Sequence, residues 1–207
     1  AFYRSAVEHE LEGKADFVLD TAGVGAALSA VTGAFVDTRA ATDLTTPAVA
    51  QIGARLDLSP EWAVLAEIGI TQWSELQELR VRFANPFQPD DFQVYDWKDT
   101  WLGAVGVRYQ PHSDWIIRAG VAFDESPTRD RTRDPRIPDS DRTWIAFGVH
   151  HQLSDSVGLQ VGYARLMFPD EPIVLSATTP GNEVRGNLIG RTDAYADMIS
   201  LQLTLRR

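Results

Sequence analysis

The residues best equipped for chemistry in this chain are cations and carboxylates set at strand spacing. Lys98 stands in the triplet Trp97-Lys98-Asp99, and Arg108 and Arg118 flank the short segment Pro111-His112-Ser113-Asp114. Read at a period of two, Lys98, Glu67, Arg108, Arg118, Asp124, Arg142 and His150 fall on one predicted inward face. A partly shielded ammonium or guanidinium pairs strongly with a carboxylate. Lys98 therefore reads either as a ligand for an anionic head group or as a rim lysine paired with Asp99 or Glu67. Glu67, Arg108, Arg118, Asp124, Arg142 and His150 read as a polar network across an enclosed interior, with direct substrate contact as the minor alternative.

A second set is apolar. Trp73, Leu76, Leu79, Phe83 and Phe87 are expected to line an entry groove, or else to pack under a loop or join an aromatic girdle. Trp62, Trp101, Trp115, Tyr109 and Tyr163 fall near strand ends, where girdle anchoring is expected. The Arg/Asp run from Thr128 to Arg142 could bind anionic lipopolysaccharide or divalent ions. A self-neutralising loop is the better reading, with Arg142, Asp139 and Asp141 fixing its return.

Catalytic signatures are missing. The four histidines, His9, His112, His150 and His151, have no metal-ligand spacing. Adjacent His150 and His151 point to opposite sides of a strand and cannot share one ion. No nucleophile elbow, phosphate-cradling glycine loop or zinc-protease motif occurs. The expectation is a protein with no cofactor, no metal and no enzymatic activity.

The elements that must position these residues are strands. From Trp97 to Ser126 two long strands meet at a tight turn. Trp101, Gly103, Val105, Val107 and Tyr109 alternate with Lys98, Thr100, Leu102, Ala104, Gly106 and Arg108. Trp115, Ile117, Ala119, Val121 and Phe123 alternate with Ile116, Arg118, Gly120, Ala122 and Asp124. One face is nearly pure apolar with aromatics at its ends, and the other is small or polar. That pattern fits a sheet between lipid and lumen better than one between core and water.

Eight predicted strands follow the same rule: 2–17, 44–58, 62–83, 98–109, 115–124, 142–153, 157–168 and 187–206. The Ala/Gly/Thr-rich segment 18–43 is expected to hold a short helix or an apolar loop. Connections at Ser59, His112 and Asp155 are tight, whereas those at 18–43, 84–96, 127–141 and 169–186 are long. Short turns at one rim and long loops at the other are the grammar of an outer-membrane barrel; a soluble sandwich does not sort its loops this way.

Composition agrees. The 207 residues suffice for one all-β domain, and no apolar run reaches the ~18 residues of a transmembrane helix. Mean hydropathy is −0.19, as expected where apolar and polar faces alternate. A formal charge of −10, from 29 acids against 19 bases, excludes a general nucleic-acid binder. The absence of cysteine removes disulfide and thiolate chemistry. AFYRSAVEHE reads directly as strand rather than as a signal peptide, so a leader has been removed or the chain starts inside a longer protein.

Several segments resemble the C-terminal half of the FadL/TodX outer-membrane transporters: YRSAVEHELEG, LSPEWAVLAEIGITQWSELQEL, WKDTWLGAVGVRY, WIIRAGVAFDESP, IPDSDRTWIAFGVHHQLSDSVGLQVGYARL and ADMISLQLTL. The resemblance runs across nearly the whole chain and implies a barrel of about 14 strands with an N-terminal hatch in its lumen. This chain would supply about eight strands as a single C-terminal unit, residues 1–207, its partner being the missing N-terminal half of the same barrel. The implied function is passive uptake of hydrophobic compounds, long-chain fatty acids or aromatic hydrocarbons, across the bacterial outer membrane. Lys98 matches a family position near the fatty-acid carboxylate. A structural or adhesive eight-stranded barrel is the alternative. The terminal Leu205-Arg206-Arg207 departs from the aromatic end that barrels usually carry.

Overall fold

The computed structural model describes residues 1–179, 182–183 and 185–206. Pro180, Gly181 and Val184, within the expected loop 169–186, and the terminal Arg207 lie outside the described residues. The architecture is all-β. Eight antiparallel strands form one sheet in the order β1 (Phe2–Arg4), β4 (Val49–Asp57), β5 (Trp62–Thr71), β8 (Thr100–His112), β9 (Trp115–Asp124), β10 (Arg142–Ser154), β11 (Val157–Met167) and β14 (Tyr195–Leu205). Every spatial neighbour follows its predecessor along the chain, as in an up-and-down barrel wall. Among the described residues the wall is not closed: β1 pairs with β4 and β14 with β11, each on one edge.

The wall takes its register from alternation. Leu56, Val64, Val107, Ala119, Phe147, Tyr163 and Ile199 are successive cross-strand partners in one row on the apolar face. The matching row on the other face is Arg55, Leu65, Gly106, Gly120, Ala146, Ala164 and Met198. A slip of one residue would exchange these faces throughout. Ile199 is 81% exposed and Leu201 is 74% exposed. An apolar surface of this extent belongs in hydrocarbon rather than water. Buried apolar residues are few among the described residues, Ala48, Ala63 and Leu166 in the wall or at its edge, so the ladder rather than a packed core holds the wall together.

The three tight turns sit where the sequence places them. At Ser59, the backbone N–H of Leu58 donates to Trp62 O at 2.9 Å, and the Ser59 hydroxyl accepts from Trp62 N at 3.2 Å. Register slips between Tyr109 and His112 and between Gln152 and Ser154 absorb the other two reversals.

Beyond the opposite rim the structure departs from the expected long strands. The first predicted strand is two: β1 ends at Arg4, and β2 (Val7–Ala15) belongs to a separate four-stranded sheet, β2-β3-β6-β7, with β3 (Thr38–Thr46), β6 (Glu78–Phe83) and β7 (Asp91–Val94). The second breaks at Pro47-Ala48, between β3 and β4, because proline has no N–H for the ladder. The third breaks after Thr71 at a 3-10 turn, Trp73–Glu75. Segment 84–96 contributes β7 rather than being all loop. Segment 169–186 contributes β12 (Glu171–Leu175), which pairs with β13 (Leu188–Thr192) in a separate hairpin. The expected strand 187–206 is therefore β13 and β14.

Segment 18–43 holds the helix α1, Val24–Thr32. Gly23 (φ 86°) and Gly33 (φ 73°) bracket it in left-handed conformations, so these glycines end the helix instead of interrupting it. The Asp20 carboxylate accepts from the Val24 N–H at 3.2 Å and from the Gly25 N–H, which holds its pKa below the usual carboxylate value.

Candidate lumen and mouth

The mouth, at the long-loop rim, is built where β8 and β9 end. Trp97 is buried against Trp73 edge-on, with ring centroids 5.0 Å apart, and against Tyr95 at the same distance. This anchors the backbone just before Lys98. Lys98 N donates to Pro127 O at 3.1 Å, and Lys98 Nζ donates to Glu125 Oε1 at 2.5 Å. The other oxygen of Glu125 accepts from the Trp101 N–H at 3.2 Å. Lys98 is thus paired, with a partner other than the expected Asp99 or Glu67. Asp99 instead accepts from Ser74 N at 3.0 Å.

Of the expected lumen network, the structure brings together Asp124 and Arg142. They are register partners, their ion pair is 2.8 Å, and Asp139 stands 3.5 Å from the same guanidinium. Asp141 accepts from Ser126 N at 2.9 Å and Asp139 from Ser126 Oγ at 2.8 Å, which fixes the loop's return into β10. The other members stay apart. Arg108 bonds only to Gln110, while Arg118, Glu67 and His150 have no hydrogen bond or ion pair among the described residues.

The expected apolar groove divides in two. Trp73 and the buried Leu76 lie with Trp97 at the rim. Phe83 lies farther out, 6.1 Å from Phe17, which meets Phe35 edge-on at 5.9 Å. Leu79 shares the face of Phe83 on β6. Phe87 is 68% exposed and lies so close to Gly33 that a Cβ there would come within 3.0 Å of its ring. With Val24, Leu28 and Val31 of α1, Phe87 leaves an open apolar surface at the far end of the long-loop side.

The long loops are fastened by arginines. Arg133, only 3% exposed, donates to Asp130 (2.9 Å), Asp139 O (3.2 Å) and Pro172 O (3.0 Å), and lies 3.6 Å from Glu171. It joins loop 127–141 to the β12–β13 hairpin. Arg136 donates to Asp134 at 2.8 Å and to Gln93 at 2.6 Å. These hydrogen bonds hold the Asp134 carboxyl below the usual range and raise the Arg136 guanidinium. Arg185 reaches the same Gln93, and Asp91 at 3.2 Å. Arg129 and Arg131 both pair with Asp96. The Arg/Asp run is therefore neutralised by carboxylates of its own loop and its neighbours. Burial of Arg133 had no signal in the sequence, where it is one of five arginines between 129 and 142.

The inner face of the wall is open. Two adjoining grooves of about 560 Å³ and 550 Å³ run along it over Gly106, Gly120, Ala104, Ala122, Ala146 and Ala164, with Leu65, Trp144 and Met198 at their sides. Gly106 and Gly120 are register partners. A Cβ on either would come within 3.1–3.2 Å of a carbonyl on the facing strand, so the floor stays flat at this pair. On the outer face, Trp62 stacks on Tyr109 at 4.3 Å and Trp115 on His151 at 4.0 Å, near the short-turn rim. Trp101 is 53% exposed near the other rim. This arrangement suits passage of an apolar solute along the inside, with aromatic anchors in the interface outside.

Comparison with known proteins places this geometry. Residues 1–206 match the model of the family described as "Outer membrane protein transport protein (OMPP1/FadL/TodX)". The long-chain fatty acid transport protein of Escherichia coli (strain K12) is 29% identical over 164 residues, 77% of this chain and 36% of that protein. Outer membrane protein P1 of Haemophilus influenzae is 28% identical over 59% of this chain and 26% of its own length. The crystal structure of a Pseudomonas aeruginosa FadL homologue superposes with a TM-score of 0.84 at 26% identity, covering 98% of this chain and 47% of that one. The Pseudomonas putida toluene transporter TodX shares the fold, with a TM-score of 0.59 at 15% identity over 98% of this chain and 44% of its own. The chain thus spans less than half the length of each of these relatives.

Proposed function

We propose, for a chain that belongs to the outer membrane protein transport protein family (OMPP1/FadL/TodX), that it forms the C-terminal wall of a passage for hydrophobic compounds. It lies in the outer membrane, in keeping with its relatives. The rest of the barrel would come from a preceding part of the same protein, pairing on β1 and β14. The outer face would meet outer-membrane lipid and the lipopolysaccharide of its outer leaflet. The substrate class is long-chain fatty acids, by analogy with the E. coli relative; aromatic hydrocarbons are the competing class, by analogy with TodX.

One observation carries this reading: the inner wall is floored by glycine and alanine over two grooves of about 560 and 550 Å³, not filled by ion pairs. A structural barrel would use that space for packing or salt bridges. The open apolar surface of α1 and Phe87 supports capture from outside. The Lys98–Glu125 pair at the mouth would exchange its carboxylate for that of an incoming fatty acid.

Uptake by cells that depend on the complete protein provides the test. Growth on oleate that disappears on deletion and returns with the gene supports the fatty-acid reading. Restored uptake of toluene but not oleate moves the substrate to aromatic hydrocarbons. Restoration of neither would leave a structural barrel.

A further inference from the structure

Of the three arginines expected in the lumen network, Arg142 is paired and Arg108 and Arg118 are left without a carboxylate among the described residues. Arg108 and Arg118 are direct register partners on β8 and β9, both on the inner face. Like charges opposite each other in an antiparallel pair repel. No carboxylate of the described residues relieves them. Asp57, in the same row on β4, is held by Arg55 at 2.6 Å. Glu67 lies on the far side of Arg55 and Leu65, two rows toward the mouth. In the next row toward the short turns, through Gln110, His150, Gln160 and Gln202, the acid is Glu61 opposite Gln110, and its carboxylate accepts from Ser59 Oγ at 2.8 Å rather than from either arginine. Arg108 is bonded only to the neutral Gln110, and Arg118 has no hydrogen bond among the described residues.

Arg118 also lines an apolar groove. The groove of about 550 Å³ runs over Gly106, Gly120, Ala146, Gly148, Gly162 and Ala164. The pair is about ten residues along β8 from Lys98, roughly 33 Å at strand rise. It is therefore a second cationic station, at the short-turn end of the lumen.

We infer that Arg108 and Arg118 form an anion site for one carboxylate beside the Gly/Ala floor. A planar guanidinium pair suits a carboxylate better than a point charge would. Two sources share this chemistry: a free fatty acid travelling down the lumen, and an acidic side chain from the part of the barrel outside this chain. The first source rests on the transport reading above; the second does not.

The experiment uses the complete natural barrel in detergent, with a nitroxide-labelled stearate and its methyl ester as probes, read by spin-label immobilisation. In Arg108→Gln/Arg118→Gln, acid binding should weaken about tenfold, one charge-assisted hydrogen bond's worth, while ester binding stays unchanged; Arg118→Lys should recover part of the loss. If acid binding is unchanged but the double variant melts earlier and its N-terminal part becomes protease-sensitive, the carboxylate belongs to the protein itself. No change in acid binding, melting or proteolysis overturns the site. Arg118→Gln alone, which breaks no contact within the described residues, serves if the double variant does not assemble. Uptake by the unaltered protein is scored separately, so a failed transport reading leaves the acid-over-ester comparison intact.

Discussion

Lys98 Nζ and Glu125 Oε1 lie 2.5 Å apart at the mouth of the wall, and Glu125 is itself held by the Trp101 N–H. A half-exposed ion pair of this kind contributes little to stability. It does set the affinity of the mouth for another carboxylate, since an incoming anion must displace Glu125. Glu125→Gln should therefore raise fatty-acid affinity several-fold, and Lys98→Ala should lower it. Titration of the complete barrel with a labelled fatty acid checks both. Equal affinities in all three proteins would remove Lys98 from the substrate path.

Arg133 is the least exposed charge in the long loops, with partners on loop 127–141 and on β12. Removing Arg133 leaves the Asp139 and Pro172 carbonyls without this donor and breaks its link from Asp130 to Glu171. Arg133→Ala should thus free the β12–β13 hairpin while leaving the eight-stranded wall intact. Limited proteolysis between residues 169 and 192, alongside an unchanged heat-modified gel shift, would report that split.

Loop 127–141 should also loosen in acid. Asp134 is held below its ordinary value by hydrogen bonds from Arg136. Its contribution is therefore fully present above the unfolded carboxylate value of about 3.9 and is lost as pH falls through the lower folded value. Amide protection factors in 130–137 should be high at pH 6 and fall below about pH 4, and Asp134→Asn should show low protection at both. Loss of protection on raising pH would contradict the assignment.

The grooves can be filled without straining the backbone. Ala146 lines both of them and already carries a Cβ. Ala146→Trp should block the floor and cut uptake of hydrophobic compounds while the barrel still folds, as judged by its resistance to SDS at room temperature. The same substitution at Ala119, a register partner of Phe147 on the outer face, should leave uptake unchanged.

Sequence alone determined the wall. Period-two alternation, the tight turns at Ser59, His112 and Asp155 and the long connections opposite them yield eight strands, their faces and their order, because each depends on neighbours in the chain. The self-neutralising character of Thr128 to Arg142 was legible for the same reason. Only the tertiary structure decided what depends on partners far apart. Pro47 divides the expected second strand, ending β3 and preceding the wall strand β4, and β2, β3, β6 and β7 leave the wall as a second sheet. Lys98 finds Glu125 across a hairpin, although Asp99 is its neighbour in sequence. Arg133 is buried while Arg131, two residues away, is exposed. Trp73 and Phe83 share a sequence segment but join separate clusters. Alternation fixes which face a side chain takes; which charge it meets there depends on register, loop closure and the approach of other loops, none of which is written in the local pattern.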